Sequence, residues 1–342
     1  MNEPRRSMVS RRAAVKRRTV SQESTGETPA GAVGPRQPCP CGSGRRYKAC
    51  HGAAGGPAEV MVLRPFEGLA GEPELIALRE FVPSATVRLP LLGQPSRDVV
   101  LGTVLPMAAA AVVRADGLGM VGMQVQTRST DLGRDVARAI RWVLAAKPGD
   151  ALITLPAEPA DRALNADKLA DLLDPADPLE PELHTDFQWW LPEDAEGGQP
   201  AETSSEVALS LERANAAIMP TARLTGADVR AAYWVDAGEK AHLRWVRPEP
   251  EETLLAALAR LAVRGELDLG EGSRYAGSFR AHGLLVPVWD LDREMHAREW
   301  EEPAQLFARR LADTLADSGD LPLTEAERRA RDGLRGRQIT LR

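Results

Sequence analysis

Residues 231–263 read AAYWVDAGEKAHLRWVRPEPEETLLAALARLAV, and two hydrophobicity patterns follow each other within them. Alternation over Ala231 to Asp236 and over Lys240 to Val246 predicts two strands, and Ala237-Gly238 between them predicts a tight turn. From Glu251 to Val263 the apolar residues recur at helical spacing, and four leucines share one face: Leu254, Leu255, Leu258 and Leu261. A hairpin followed by a helix indicates an α+β fold with antiparallel sheets and packed helices.

The same order of elements is predicted between residues 109 and 146. Arms near Ala109 to Arg114 and Leu118 to Gln126 flank Asp116-Gly117, a dipeptide that tolerates the positive φ of a hairpin turn. Thr130 is predicted to cap the next helix, whose apolar face holds Leu132, Val136, Ile140 and Val143. The two hairpin–helix units suggest a diverged internal duplication.

Other elements are predicted on both sides of these units. Periodicity predicts a helix at Glu72 to Phe81 and strands at Thr86 to Leu92 and Val99 to Val104. Pro90 places the first of these strands at a sheet edge, because proline cannot donate to a ladder. The remaining predicted elements are a helix at 205–218, a strand at 284–291, a helix opened by Pro303 and lined by Leu306, Phe307, Leu311 and Leu315, and a final helix with the capping box Thr324 and Glu327.

Composition divides the chain of 342 residues into segments. The predicted order is a disordered basic tail at 1–35, a small knuckle at 36–53, a linker at 54–59, an α+β unit at 60–155, a proline-rich and acidic surface connection at 156–203 with a short helical piece at 166–173, and a second α+β unit with C-terminal helices at 204–342.

Charge is distributed unevenly between the start of the chain and the rest. Residues 1–52 hold eleven Lys or Arg and three Glu, a net charge of +8, and the whole chain carries −6, so the remainder carries −14. A basic arm on an acidic body predicts an anionic partner such as the ribosome or a nucleic acid. No apolar run reaches membrane-spanning length and no signal peptide is recognised, so we expect a cytoplasmic protein.

The strongest motif is the segment 38–52, PCPCGSGRRYKACHG. It contains all three cysteines of the chain, so none is left for a disulfide or a catalytic thiol elsewhere. Clustered cysteines beside a histidine indicate a structural zinc site with four ligands: Cys39, Cys41, Cys50 and His51. Gly42 and Gly44 let the backbone turn after the Cys-x-Cys pair. Because all four positions are filled, the predicted zinc has no open position for catalysis.

This segment resembles the SEC-C motif, the zinc-binding tail of the translocase ATPase SecA, and matches its pattern at every ligand position. The resemblance implies bound Zn²⁺ and contact with the ribosome or with a protein partner such as an export chaperone. The chain has no phosphate-binding loop of the SecA motor. The whole chain also resembles an uncharacterised actinobacterial family that combines this motif with segments like Leu63 to Glu67, Leu211 to Ala217 and Arg274 to Leu291.

A second candidate site is the glycine-rich segment 270–282, ahead of the strand that contains Asp290. Its side chains suggest an anion pocket formed by Arg274, Tyr275, Arg280 and His282, or an acid–base site that uses His282 and Asp290. The alternative is a structural loop whose arginines pair with the acidic body. The aromatic cluster Phe187, Trp189 and Trp190 likewise has two readings, a recognition surface or packing of the connection against the body.

Two function classes remain open at this stage. The first is a zinc-binding adaptor that docks through the basic arm and the knuckle. The second is a small-molecule enzyme at 274–290 that acts on a phosphorylated or carboxylated substrate. The chain has no phosphate loop, no nucleophile elbow and no paired histidines for a catalytic metal, which favours the adaptor.

Overall fold

The computed structural model describes residues 36–38, 46–49, 62–156, 168–192, 205–317, 321–337 and 339. Two units are distinguished, one at 1–57 and one at 58–342. The predicted tail at 1–35 and linker at 54–59 lie outside the described residues, as do the four predicted zinc ligands. The architecture that follows is therefore that of the larger unit, which we call the body.

The described part of the body holds six helices and eleven strands. The helices are α1 (Glu72–Glu80), α2 (Leu132–Ala145), α3 (Ser205–Ala216), α4 (Glu251–Arg264), α5 (Glu301–Asp317) and α6 (Glu325–Gly336). The first sheet contains β1 (Ala85–Arg88), β2 (Val99–Gly102), β3 (Ala111–Val113), β4 (Gly119–Gly122), β5 (Ala151–Leu152) and β6 (Glu182–Leu183). The second contains β7 (Thr221–Arg223), β8 (Ala232–Asp236), β9 (Ala241–Trp245), β10 (Ser273–Ala281) and β11 (Leu284–Leu291). None of the described helices combines the length and apolar character needed to cross a membrane.

The α+β fold and both hairpin–helix units are confirmed. In the first unit β3 and β4 pair antiparallel and α2 follows, and in the second β8 and β9 pair antiparallel and α4 follows. Helix α2 begins one residue later than predicted, because Asp131 rather than Thr130 accepts the backbone N–H of Arg134, at 3.1 Å. The capping box of Thr324 and Glu327 is present at the start of α6.

The first sheet has the strand order β5-β3-β4-β2-β1-β6 and is not wholly antiparallel. Strands β2 and β4 run parallel, with Val99 opposite Gly119. Two chain reversals separate these strands, and the β3–β4 hairpin places β4 between β3 and β2. The sequence predicted only antiparallel pairing. A hairpin signal identifies the two strands that the turn joins, but it does not identify the strand that pairs with the other edge of the hairpin.

The prediction that Pro90 marks an edge strand is wrong. Strand β1 is an inner strand, and Thr86 pairs with Gly102 on one side and with Glu182 on the other. The strand ends at Arg88, so Pro90 lies beyond the ladder and removes no donor from it.

The described part of the predicted connection, residues 168–192, is more than a surface segment. It supplies strand β6 and buries five apolar side chains: Leu169, Leu173, Leu179, Phe187 and Trp190. The predicted helical piece is a single 3₁₀ turn at Leu169–Asp171 among the residues described there. This segment therefore belongs to the core around the first sheet.

The second sheet, in the order β10-β11-β9-β8-β7, is antiparallel throughout and is covered on both faces. One face carries Tyr233 and Phe279, whose rings meet Phe81 of the first half edge to face, with centroids 5.8 and 6.2 Å apart. The other face packs Trp245 and Trp289 against α4 and α5. The regions predicted as units 60–155 and 204–342 thus share one core cluster.

Helix α5 departs from its predicted apolar face at one position. Phe307 and Leu311 are buried in the cluster with α4, but Leu306 is 48% exposed. The helix begins at Glu301, directly after a 3₁₀ turn at Ala297–Trp300, and not at Pro303. The buried stripe is therefore narrower than the sequence pattern indicates.

Candidate functional site

The described residues of the knuckle, 36–38 and 46–49, lie on both sides of Cys39 and Cys41 in the sequence and precede Cys50 and His51. Pro38 and Arg46 form an antiparallel bridge, and the backbone N–H of Tyr47 donates to the carbonyl of Gln37 at 2.7 Å. A 3₁₀ turn covers Tyr47–Ala49. In the sequence, Cys39 and Cys41 lie between the two bridge residues, and the turn ends directly before Cys50 and His51.

The donor set that the sequence supplies is one that zinc can take. Three thiolates and one imidazole are the donor set that structural zinc takes in a tetrahedron, and with Zn²⁺ they carry a net charge of −1. Arg45, Arg46 and Lys48 lie in the same short segment and would offset that charge. The part of the chain that the structure describes offers no other group of three or more His, Cys, Asp or Glu side chains able to hold a metal.

The second candidate segment is a strand and a turn, not a glycine-rich loop. Residues Ser273–Ala281 form β10, and the chain then reverses through His282-Gly283 into β11. Both turn residues have positive φ, 46° and 82°, which is the requirement of a type I′ hairpin turn. A bulge lies between Tyr275 and Gly277. The glycines of this region therefore have a structural role in the hairpin.

Three of the four predicted anion ligands are bound to carboxylates: Arg280, His282 and also Arg274, which pairs with Asp290. The guanidinium of Arg280 donates to Glu251 at 2.7 Å, and this hydrogen bond lowers the pKa of Glu251. His282 donates to Glu80 at 2.8 Å, which likewise lowers the pKa of that carboxyl. A cavity lies beside the opposite end of the strand, where Arg274 is located. Neither Arg280 nor His282 lines it.

The predicted pair of His282 and Asp290 is not formed. In the ladder Arg274 stands opposite Asp290, whereas His282 is in the turn at the far end of the hairpin. At the usual strand rise of about 3.3 Å per residue, the eight positions between Arg274 and His282 span roughly 25 Å. No acid–base site can be assembled from groups so far apart.

Asp290 is paired with two cations and lies beside a histidine. Its carboxylate accepts from Lys240 at 2.8 Å and from Arg274 at 3.0 Å, and the Nδ1 atom of His242 lies 3.2 Å away. Burial alone would raise the pKa of Asp290, but the hydrogen bonds from Lys240 and Arg274 outweigh it and lower the pKa. Asp290, Arg274 and Tyr275 line one cavity of about 680 Å³. The structure thus brings together Arg274 and Tyr275 and separates them from Arg280 and His282.

The aromatic cluster packs within the body. The indole N–H of Trp189 donates to the hydroxyl of Ser84 at 2.9 Å, and that of Trp190 donates to the carbonyl of Val104 at 2.8 Å. Phe187 stacks on Trp190 with ring centroids 4.8 Å apart. With both indole donors satisfied internally, the packing interpretation is confirmed over the recognition surface.

One residue of the cavity was not expected from the sequence. Arg337 follows α6 and lines the same cavity as Arg274 and Tyr275. It is about sixty positions away in the chain, and no local pattern links it to the glycine-rich segment. The position of Arg337 at the cavity follows from the path of the backbone after α6, which the sequence does not predict.

Comparison with known proteins supports the resemblance of the knuckle. Residues 36–53 match the SEC-C motif. A stretch of 25 residues is 60% identical to the protein translocase subunit SecA of Rubrobacter xylanophilus, and this stretch covers 7% of the chain and 3% of that protein. The chain therefore spans only a small fraction of this relative. No solved structure matches the chain.

The body is identified by a different match. Residues 65–342, which include both sheets and all six helices described above, match a family described as a family of unknown function, DUF5926. This match is consistent with the resemblance of the whole chain to an uncharacterised family. The chain belongs to the DUF5926 family and carries a SEC-C motif ahead of its family-specific body.

Proposed function

We propose that this protein is a zinc-binding interaction protein of the cytoplasm, whose knuckle and basic arm dock on an anionic assembly. The observation that carries the proposal is the SEC-C match at 36–53, which includes all four predicted donors: Cys39, Cys41, Cys50 and His51. The bridge between Pro38 and Arg46 supports it, because it brings together the two residues that bracket the Cys-x-Cys pair in the sequence.

The zinc in this proposal is structural. Four protein donors complete the tetrahedron, so the metal has no vacant position to activate water or substrate. Its binding energy stabilises the knuckle, because so short a segment has no hydrophobic core of its own. The knuckle then acts as a rigid platform next to a segment rich in arginine.

The charge of the chain supports an anionic partner. The first 52 residues carry +8 and the remainder carries −14, so a large polyanion is attracted to the start of the chain and repelled by the net charge of the body. We propose the ribosome or its RNA as the partner. The short similarity to a protein translocase subunit makes export machinery, such as an export chaperone, the alternative partner.

The enzyme alternative has less support. Arg280 and His282 each hold a carboxylate, and His282 is far from Asp290 along the hairpin. The groups that do share a cavity are Arg274, Tyr275, Asp290 and Arg337, none of which is an activated nucleophile. The body of the protein is therefore proposed to bind rather than to catalyse.

A ribosome co-sedimentation assay with the full-length protein tests this proposal. We expect binding at about 50 mM salt and a steep loss by about 200 mM, because neutralised phosphates release counterions. Deleting 1–35 or combining Cys39→Ser with Cys41→Ser should weaken binding, and Arg88→Gln on the body should not. A parallel reaction with protein-free ribosomal RNA tells whether RNA alone suffices. The proposal would be contradicted if the amount of protein that co-sediments did not change with salt, with the deletion or with the cysteine substitutions.

A further inference from the structure

A cavity of about 680 Å³ opens between the end of α4, strands β10 and β11, and the backbone after α6. This volume lies in the usual range of small-molecule sites, roughly 300–1,000 Å³. Part of its wall is apolar and is formed by Ala262, Leu267, Ala276 and Ile339. Arg274 lies at the open side, with 73% of its side chain exposed. The cavity is therefore large enough and accessible enough for an organic ligand.

Tyr275 places a buried hydroxyl at this cavity, with the Ser278 side chain as its neighbour. The residue is only 3% exposed, and no described group meets its hydroxyl oxygen at hydrogen-bonding geometry. Burial raises the pKa of Tyr275 to about 12, while the neighbouring Ser278 hydroxyl and the charge of Arg337 oppose this rise. The hydroxyl is therefore protonated at neutral pH and is available to donate a hydrogen bond. Because no described group meets this hydroxyl at full hydrogen-bonding geometry, a ligand acceptor in the cavity would complete its hydrogen bonding.

Arg337 supplies a positive charge beside this hydroxyl. Among the described residues its guanidinium makes no ion pair and no hydrogen bond, in contrast to Arg280, which binds Glu251. Its backbone is held in place, since the carbonyl of Arg337 accepts from Ser278 at 3.1 Å and Ile339 donates to Ser278 at 3.0 Å. Gly277 permits this approach, because a Cβ there would lie 2.5 Å from the Arg337 carbonyl oxygen.

The acidic side chains of the wall are already occupied. Asp290 accepts from Lys240 and Arg274, and Asp268 accepts the backbone N–H of Tyr275 at 2.7 Å. The end of α4 also borders the cavity, and the partial negative charge of a helix C-terminus disfavours anions. There, however, the last carbonyls accept from the backbone N–H groups of Gly265 and Glu266. Each of the two carboxylates thus already accepts at least one hydrogen bond, and the wall also carries the donors of Arg274, Tyr275 and Arg337.

We propose that this cavity binds a small organic anion through its carboxylate or phosphate group. Tyr275 and Arg337 donate to the oxyanion, Arg274 completes the positive side at the opening, and Leu267 and Ile339 contact the apolar part of the ligand. Compared with the anion site predicted from the sequence, Arg337 takes the place of Arg280 and His282. The proposal concerns the body and does not depend on zinc or on the docking function of the knuckle.

Isothermal titration calorimetry on the full-length protein tests it with three probes of one shape. These are benzoate, phenyl phosphate and the uncharged benzyl alcohol. We expect the wild type to bind at least one of the two anions more tightly than the alcohol, and the tighter anion identifies the ligand as a carboxylate or a phosphate ester. Tyr275→Phe and Arg337→Gln should each weaken that binding about tenfold, the effect of one hydrogen bond to a charged group.

Arg280→Gln is the matched control, because it removes an arginine from the same strand but outside the cavity. It should leave the affinity for the anion unchanged. The melting temperature of each variant, measured without ligand, shows whether the protein is folded. Equal affinity in wild type, Tyr275→Phe and Arg337→Gln would overturn the proposal. So would binding of the alcohol as tight as that of both anions, or no binding of either anion by the wild type.

Discussion

At the scale of single residues, the most constrained group in the body is the carboxylate of Glu74 on α1. It is buried and accepts from Arg223 at 2.8 Å, from the backbone N–H of Ala231 at 2.9 Å and from the hydroxyl of Tyr233. Burial, reinforced by the charge of Glu74, raises the pKa of Tyr233 well above its usual value, so the hydroxyl stays protonated. All three donors come from the second half of the chain. The network therefore fixes α1 against the second sheet.

Removing one partner of this network is expected to destabilise the protein strongly. Arg223→Ala leaves the Glu74 carboxylate buried without its cation, a change that costs about 3–5 kcal/mol in the free energy of unfolding. The control is Arg88→Ala, because Arg88 and Asp98 form a pair whose side chains are 73% and 61% exposed, and such pairs contribute at most about 1 kcal/mol. Urea denaturation measures both. Similar losses in the free energy of unfolding for the two substitutions would mean that the buried network contributes no more to stability than an exposed ion pair.

The contact between His282 and Glu80 predicts a dependence of stability on acid. The hydrogen bond from His282, with help from the nearby charges of Arg79 and Arg128, lowers the pKa of Glu80 below its ordinary value of 4.5. As the pH falls through about 4.5, the unfolded chain takes up the proton on Glu80 before the folded chain does. The contribution of this contact to the free energy of unfolding is therefore complete above that pH and is lost below it.

Thermal melting from pH 7 to pH 3 tests this expectation with Glu80→Gln, which has no carboxylate to protonate. The melting temperature of the variant should be lower than that of wild type at neutral pH, and the difference should narrow as the pH drops below about 4.5. Glu67→Gln, at a side chain that is 66% exposed, serves as the control. A constant difference between Glu80→Gln and wild type across the whole range would contradict the assignment.

At the scale of secondary-structure elements, the hairpin of β10 and β11 shows how local signals can mislead. Four glycines in and beside it suggest a loop, yet two of them serve the hairpin directly: Gly277 at the bulge and Gly283 in the turn. The His282-Gly283 turn was not predicted, because histidine is a less common turn residue than asparagine or aspartate. The Asp116-Gly117 turn carries the common signal and was predicted correctly.

Two glycine substitutions compare these turns. Gly283 and Gly117 both have positive φ, at 82° and 91°, so alanine strains the backbone at either site by about 1–3 kcal/mol. At Gly283 the new Cβ would also lie 2.3 Å from Cγ of Arg64, whereas at Gly117 nothing lies within 4 Å. We expect Gly283→Ala to lower the melting temperature more than Gly117→Ala. The reverse order, measured by calorimetry, would show that the contact with Arg64 is readily relieved.

The elements that the sequence could not predict are those with little periodicity of their own. Strand β6 has two residues and is defined by its pairing with β1, not by any pattern within Glu182–Leu183. The parallel pairing of β2 and β4 likewise depends on where a distant strand is placed. Helices α2 and α4, by contrast, were predicted within one or two residues, because their apolar faces repeat over several turns.

At the scale of the whole molecule, the second sheet joins the two halves of the body. Its strands alternate side chains between two cores, so Val288 faces the first half and Trp289 faces the helices α4 and α5. The sequence showed both hairpin–helix units but predicted a surface connection between them. That prediction failed because the buried residues of 168–192, such as Leu179 and Trp190, are scattered among prolines and acids and form no recognisable pattern.

The two candidate sites differ in how far the sequence could predict them. The predicted zinc ligands lie within thirteen consecutive positions, so their spacing alone suggests a site, and the SEC-C match covers all four positions. The cavity on the body joins β10 to Arg337 through the fold of the chain, and only half of its predicted anion ligands are present there. A local motif can be recognised in a single sequence, whereas a site assembled from distant segments cannot.

Zinc content is the measurement that tests the central claim most directly. Protein freshly purified under reducing conditions should contain about one zinc ion per chain by elemental analysis, as four protein donors imply. Cys39→Ser and Cys50→Ser should each lose the metal, while Ser43→Ala, inside the same loop, should retain it. The body at 58–342 is a separate unit and should keep its melting temperature in all three variants. A metal-free wild type, or cysteine variants that retain full zinc, would contradict the account.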